Sequence, residues 1–152
     1  MPMTPAIRQH RVVVTSSLTT HVRVSDYAPS VVMPPHSHAT STDCMIVRGR
    51  LEEDSAGAVR QAQTGDCLYK PAGLRHANRF GPEPIRTIQI EIIDAGGEVV
   101  RLLAHSTTPP IRPGDADFAG AMMGLSRAMV SSPPGDALDA PVLDALGSAM
   151  SL

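Results

Sequence analysis

The chain has almost no aromatic side chains. Tyr27, Tyr69, Phe80 and Phe118 are all it carries in 152 residues, and tryptophan is absent. That excludes the base-stacking platforms that hold single-stranded nucleic acids. A basic excess is missing as well. Lys+Arg 13 against Asp+Glu 15 leaves a formal net charge of -2, whereas a free-standing nucleic-acid binder usually carries a positive one. No apolar run approaches the ~18 residues of a spanning helix. Residues 1–10 lack the apolar core of a secretory signal. Two cysteines, Cys44 and Cys67, are too few for a disulfide framework and have no C-x-x-C spacing. They read as free thiols. The expectation is a cytoplasmic protein with neither nucleic acid nor membrane as a partner.

What is abundant is punctuation. Pro 14 and Gly 12 suit many short strands and turns rather than long helices. Strand signals fall at residues 11–15, 21–24, 30–34, 43–53 with a bend at Gly49, 59–63, 66–70, 75–80 and 85–93. About eight such runs in one domain argue for a sandwich or barrel. In IRTIQIEII the isoleucines Ile88, Ile90 and Ile92 share one face and Thr87, Gln89 and Glu91 the other. Alternation alone leaves two assignments. Either the isoleucines pack under helices and Gln89 and Glu91 face a barrel lumen, or the isoleucines line the lumen and the polar pair is solvated. The second is the plainer reading.

After a Pro/Gly-rich connector at 107–114 the period changes. Phe118, Met122, Leu125 and Met129 are spaced by four, three and four, one helical stripe. Residues 131–135 (SSPPG) break it. A last helix starts near Asp139, with Pro141 in its first turn and Val142, Leu143, Leu146 and Met150 as its apolar face. The division expected is a β-barrel over 11–104 and a helical tail over 105–152 that packs on the barrel or forms a dimer interface. The flexible methionines read most plainly as ordinary core and alternatively as an adaptable contact surface; a homodimer is expected.

Of six histidines, three have informative surroundings. In Pro34-Pro35-His36-Ser37-His38, an extended backbone projects both imidazoles to the same face, so they can chelate one cation. Asp43 follows at odd parity and joins them only if residues 39–42 turn or bulge. Further on, Gly65 leads to Pro71-Ala72-Gly73-Leu74-Arg75-His76-Ala77-Asn78. The Pro/Gly turn reverses the chain and delivers His76 to the next strand, with Asn78 on the same face.

Together, H-x-H-x4-D-x5-G and G-x5-P-x-G-x2-H resemble the paired motifs of the cupin superfamily. The resemblance implies an all-β fold, a small antiparallel β-barrel of jelly-roll type with a metal in its mouth. Its metal positions carry over as His36, His38, Asp43 and His76. The family usually has Glu where Asp43 stands, and Ala28-Pro29-Ser30 replaces its usual early glycine. Three imidazoles and a carboxylate suit a divalent ion, Zn, Fe, Ni, Mn or Cu.

Residues 69–82, YKPAGLRHANRFGP, are most similar to the N-terminal effector domain of AraC-type transcription regulators. Arg48-Gly49-Arg50-Leu51-Glu52-Glu53 adds to the likeness. The helix-turn-helix half of those proteins has no counterpart in this stretch, and no basic recognition helix is visible. The expectation is a sensor-type domain that binds a small molecule, either natural and stand-alone or excised from a regulator. The alternative is a metal-dependent enzyme (dioxygenase, isomerase or lyase) on a small anionic substrate, with Glu91, Gln89 and Tyr69 as acid–base candidates. Arg48, Arg50, Arg75 and Arg79 flank the motifs and would favour an anion if they lined the mouth. Cys44 alternates away from Asp43 and reads as core.

Overall fold

The computed structural model describes residues 6–106, 111–131 and 137–152. The leader residues 1–5, the connector residues 107–110 and the breaker residues 132–136 lie outside the described residues. The elements in chain order are β1 (Ala6–Thr15), β2 (Leu18–Tyr27), β3 (Val32–His36), β4 (Ser41–Arg48), β5 (Arg50–Ser55), β6 (Ala58–Gln63), β7 (Cys67–Lys70), β8 (His76–Phe80), β9 (Ile85–Asp94), α1 (Glu98–Ser106), β10 (Ile111–Arg112), α2 (Ala116–Ser131) and α3 (Asp139–Met150). One sheet has the order β1-β2-β9-β4-β7-β10 and the other β3-β8-β5-β6. All pairings are antiparallel. The result is the expected all-β jelly roll with a helical tail.

The six-stranded sheet is buried on both faces. Its outer face presents Val22, Val24, Met45, Cys67, Tyr69, Ile88, Ile90 and Ile92 to Phe118, Met122, Leu125, Met129, Val142 and Leu146 of the helices. Its inner face presents Cys44, Ile46, Leu68 and Ile85 to Leu51, Ala62 and Phe80 of the four-stranded sheet. Each large apolar side chain taken from water contributes roughly 1.5–3 kcal/mol, so the core under the helices, with twenty buried residues against seven between the sheets, is the larger of the two.

This settles the parity of β9 against the plainer reading. Ile90 pairs with Val22 and Ile88 with Val24, and paired residues of neighbouring strands share a face. The isoleucines therefore meet the helices, and Gln89 and Glu91 point into the barrel. The Phe118–Met129 stripe is likewise fully inside. Its methionines are core, not a surface free for a partner chain.

Other differences have local causes. The long run at 43–53 is two strands in different sheets, and the crossing is made at Gly49. Its φ of +97° and an added Cβ only 2.5 Å from Ile85 Cγ1 require glycine there. Helix α1 falls inside the stretch assigned wholly to strands. Asp94 Oδ2 accepts the amides of Val99 (2.7 Å) and Val100 (3.3 Å), which satisfies the donors a helix start leaves open. Leu103 anchors the helix in the core.

Candidate metal centre

Strands β3 and β8 run side by side with His36 opposite His76. As β3 is the edge of its sheet, Pro34 and Pro35 cost it no ladder bond that a neighbour needs. His38 follows just beyond the strand. The ring centroids lie 4.4 Å apart for His36–His76, 5.0 Å for His36–His38 and 5.2 Å for His38–His76. One ring nitrogen from each falls within 4.8 Å of the other two.

The β7–β8 turn holds this arrangement through main-chain bonds. The Gly73 amide donates to the His38 carbonyl (2.8 Å), and the Ala72 amide donates to Ser41 Oγ (3.1 Å). Gly73 has a φ of +80°, the left-handed region glycine enters without strain. The two sequence motifs are thus fastened to each other on either side of the histidines.

The histidines are set up as ligands. Nδ1 of His36 donates to the Pro34 carbonyl (2.8 Å), and Nδ1 of His76 to the Leu74 carbonyl (3.1 Å). A carbonyl only accepts, so each bond places the proton on Nδ1 and leaves Nε2 with its lone pair. His76 Nε2 is buried with no partner among the described residues, a costly state for a polar atom unless something binds there. Burial first, then the nearby Lys70 charge, pushes His76 down to about 4. Burial and the neighbouring His36 also lower His38. Neutral imidazoles converging through lone pairs fit a divalent transition ion.

Asp43 is not brought to this cluster. It pairs with Tyr69 on β7 and Ile90 on β9, both of which face the helices. Its carboxyl is fully buried in that outer layer, where Cys67 Sγ donates to Oδ1 at 3.3 Å and Oδ2 has no partner among the described residues. Burial raises it to about 7. The turn over 39–42 does not undo the odd parity from His38.

Carboxylates that do face the barrel interior are Glu53 and Glu91. Glu53, 1% exposed, is 3.0 Å from Lys70 Nζ and accepts from Asn78 (3.2 Å) and Ser55 (3.4 Å). Burial pushes its carboxyl up, but Lys70 and these bonds outweigh that and hold it below its ordinary value. Glu91 stands opposite Thr42 and His21 and is 3.2 Å from Arg23 Nη2. Arg23 carries no motif, and Lys70 and Glu53 lie in the stretches that resemble AraC-type domains without a role assigned to either. Alternation in RLEEDS puts Glu53 on the face of Leu51 and Ser55.

The remaining sequence candidates lie elsewhere. Arg48, Arg50, Arg75 and Arg79 are exposed. Tyr69 turns outward, its hydroxyl donating to the Val100 carbonyl at 3.4 Å. Cys44 faces the interior and Cys67 the helices, so the sheet itself separates the two free thiols. Burial raises Cys44 to about 12.

A family model described as the ChrR Cupin-like domain matches residues 1–91. Similar solved structures include a protein of unknown function from Rhizobium leguminosarum BV. viciae 3841, at 22% identity and TM-score 0.45, covering 47% of this chain and 68% of that one. AerE from Microcystis aeruginosa matches at 18% and 0.47, covering 57% of this chain and 46% of AerE. The cupin domain of Schizosaccharomyces pombe Cnp3 matches at 14% and 0.47, covering 61% and 69%. The match therefore spans about two thirds of the first structure and less than half of the second. No curated protein matches the chain. At these TM-scores the structural likenesses say nothing about activity.

Proposed function

The chain belongs to the ChrR cupin-like family, and from that premise we propose that it is a metal-binding, sensor-type domain for a small molecule. One observation carries the reading. Nε2 of His76 is buried and unpartnered beside His36 and His38, while Nδ1 of His36 and His76 is committed to backbone carbonyls. A divalent ion held by these three imidazoles would keep open positions and act there as a Lewis acid or an anchor for a ligand. The likeness of residues 69–82 to AraC-type effector domains supports a sensing role within this reading. So does the pairing of both interior carboxylates with cations, which withholds them from proton transfer. The domain acts in the cytoplasm and as a homodimer. The outer edge of β1, without a strand partner among the described residues, supports the latter, and size-exclusion chromatography with light scattering tests it.

The second reading, a metal-dependent dioxygenase, isomerase or lyase, is favoured by one fact: Glu91 faces the interior from the strand beside β4. Elemental analysis of untagged protein tests the shared claim. Divalent metal should copurify and be lost from a His36→Ala/His76→Ala variant. Metal-free protein that takes up no added Zn, Ni, Mn or Fe sinks it. Turnover or O2 consumption with small acids would select the enzyme, and saturable binding without turnover the sensor.

A further inference from the structure

We propose that the site formed by the three histidines and the interior face of β2 selects a small anionic ligand, a carboxylate, and that Arg23 is its anchor. This rests on the metal-binding reading above.

The argument begins with charge. Charged side chains on the interior faces of the strands include Lys70, Glu53, Arg23 and Glu91. They form two opposite pairs, Lys70–Glu53 at 3.0 Å and Arg23–Glu91 at 3.2 Å, and so sum to zero. The imidazoles are neutral ligands. Asp43, the carboxylate that the motif spacing would supply, is on the other side of the sheet. A divalent ion held by the triad adds two positive charges that these pairs do not offset, on a site that runs from exposed His38 through half-buried His36 to buried His76. At its buried end, beside His76 and Glu53, uncompensated charge is costly. A ligand that enters carrying negative charge removes the cost, and a neutral one does not.

Geometry singles out Arg23. It stands on the interior face of β2, paired with Gln89 and next to Glu91 in the ladder. Its Nη2 is committed to Glu91, but its Nε is buried with no partner among the described residues. An unpaired buried donor favours an acceptor, and a guanidinium fork matches the two oxygens of a carboxylate. Lys70 is a weaker candidate, because Glu53 holds it deep in the wall. Arg48, Arg50, Arg75 and Arg79 are exposed.

The experiment loads the full chain with Co(II) and follows its visible spectrum during titration with acetate, malonate and the neutral analogue acetamide. The carboxylates should perturb the spectrum saturably and acetamide should not. Arg23→Met should weaken carboxylate binding by about tenfold or more, the loss of a charge-assisted bond, with Co(II) affinity retained or raised, because Glu91 is left without its cation. Arg23→Lys should fall between. Glu91→Gln, which frees Arg23 from its partner, should tighten carboxylate binding. A merely structural pair would move both substitutions the same way, and that result overturns the proposal. Equal binding of acetamide and acetate does so too, leaving the metal reading intact. Failure of the wild-type chain to take up Co(II) overturns both.

Discussion

The amide of Gly73 donates to the carbonyl of His38 across 2.8 Å, so the turn that presents His76 also holds the segment that presents His38. The spacing of the triad is thus a property of backbone as much as of imidazole. Gly73 needs a positive φ but has open space around a would-be Cβ. Gly73→Ala should therefore cost about 1 kcal/mol of stability through conformation alone. It should weaken metal binding at the same time, because the strained turn pulls on His38. Chemical denaturation and metal titration of the one variant check both. A stability loss with unchanged metal affinity would show that this bond does not set the spacing.

Asp43→Asn should leave metal affinity within about twofold, since its carboxyl lies beyond the sheet. His76→Ala should lower it by more than the 10–100-fold typical of changes one shell away from a metal. Competition with a chromophoric chelator reads both. A large loss in Asp43→Asn would place that carboxylate in the centre after all.

Asp43 also gives stability a pH dependence. Its carboxyl is raised to about 7 in the folded chain from an unfolded value near 3.8. Between these values the folded chain holds a proton that the unfolded chain has released. The group's contribution is full below about pH 4 and falls by about 1.4 kcal/mol per unit up to about pH 7. Above that the carboxyl is ionised in both states and its contribution is flat. His76, held down to about 4, contributes an opposite slope to both proteins between about pH 4 and 6.5, so the slope of Asp43 should appear in the difference between wild type and Asp43→Asn in urea denaturation across pH 4–8. Superimposable profiles would contradict the burial argument.

Lys70→Met should destabilise by about 3–5 kcal/mol, because it leaves Glu53 charged, buried and without its cation. The double variant Lys70→Met/Glu53→Gln should recover much of that loss, as Asn78 and Ser55 can still bond an amide. A thermal melt of the three proteins tests it. Equal losses in the single and double variants would mean the pair is not coupled.

The histidine triad was legible because each member sits in a local pattern. H-x-H on an extended chain and a Pro-Gly turn before His76 need no knowledge of distant contacts. Strand spacing pointed to a sandwich or barrel, the resemblance to cupins narrowed that to a jelly roll, and the α2 stripe followed from its helical period. Asp43 was misplaced because the face of a strand is set by register with its neighbours, here Tyr69 and Ile90, and not by counting from a histidine on another strand across a loop. The same cause hid the interior position of Glu91. Isoleucine on alternate positions is compatible with either core, and only the docking of α2 and α3 on β9 chooses between them. Arg23, Glu53 and Lys70 were missed because they come from three different strands that closure of the barrel alone brings together.

Thr42 and Asp43 are adjacent in the chain yet belong to different compartments. Thr42, opposite Glu91 and Lys70, looks inward, and Asp43 looks out. A family that varies this strand can therefore change the electrical character of its ligand set without altering a single backbone contact. An acidic residue moved back by one position would face the interior beside Glu91 and Lys70. Moved forward again, it becomes a proton-holding element of the wall. Evolution of a neutral or an anionic centre on this scaffold is thus a matter of the order of two neighbouring letters.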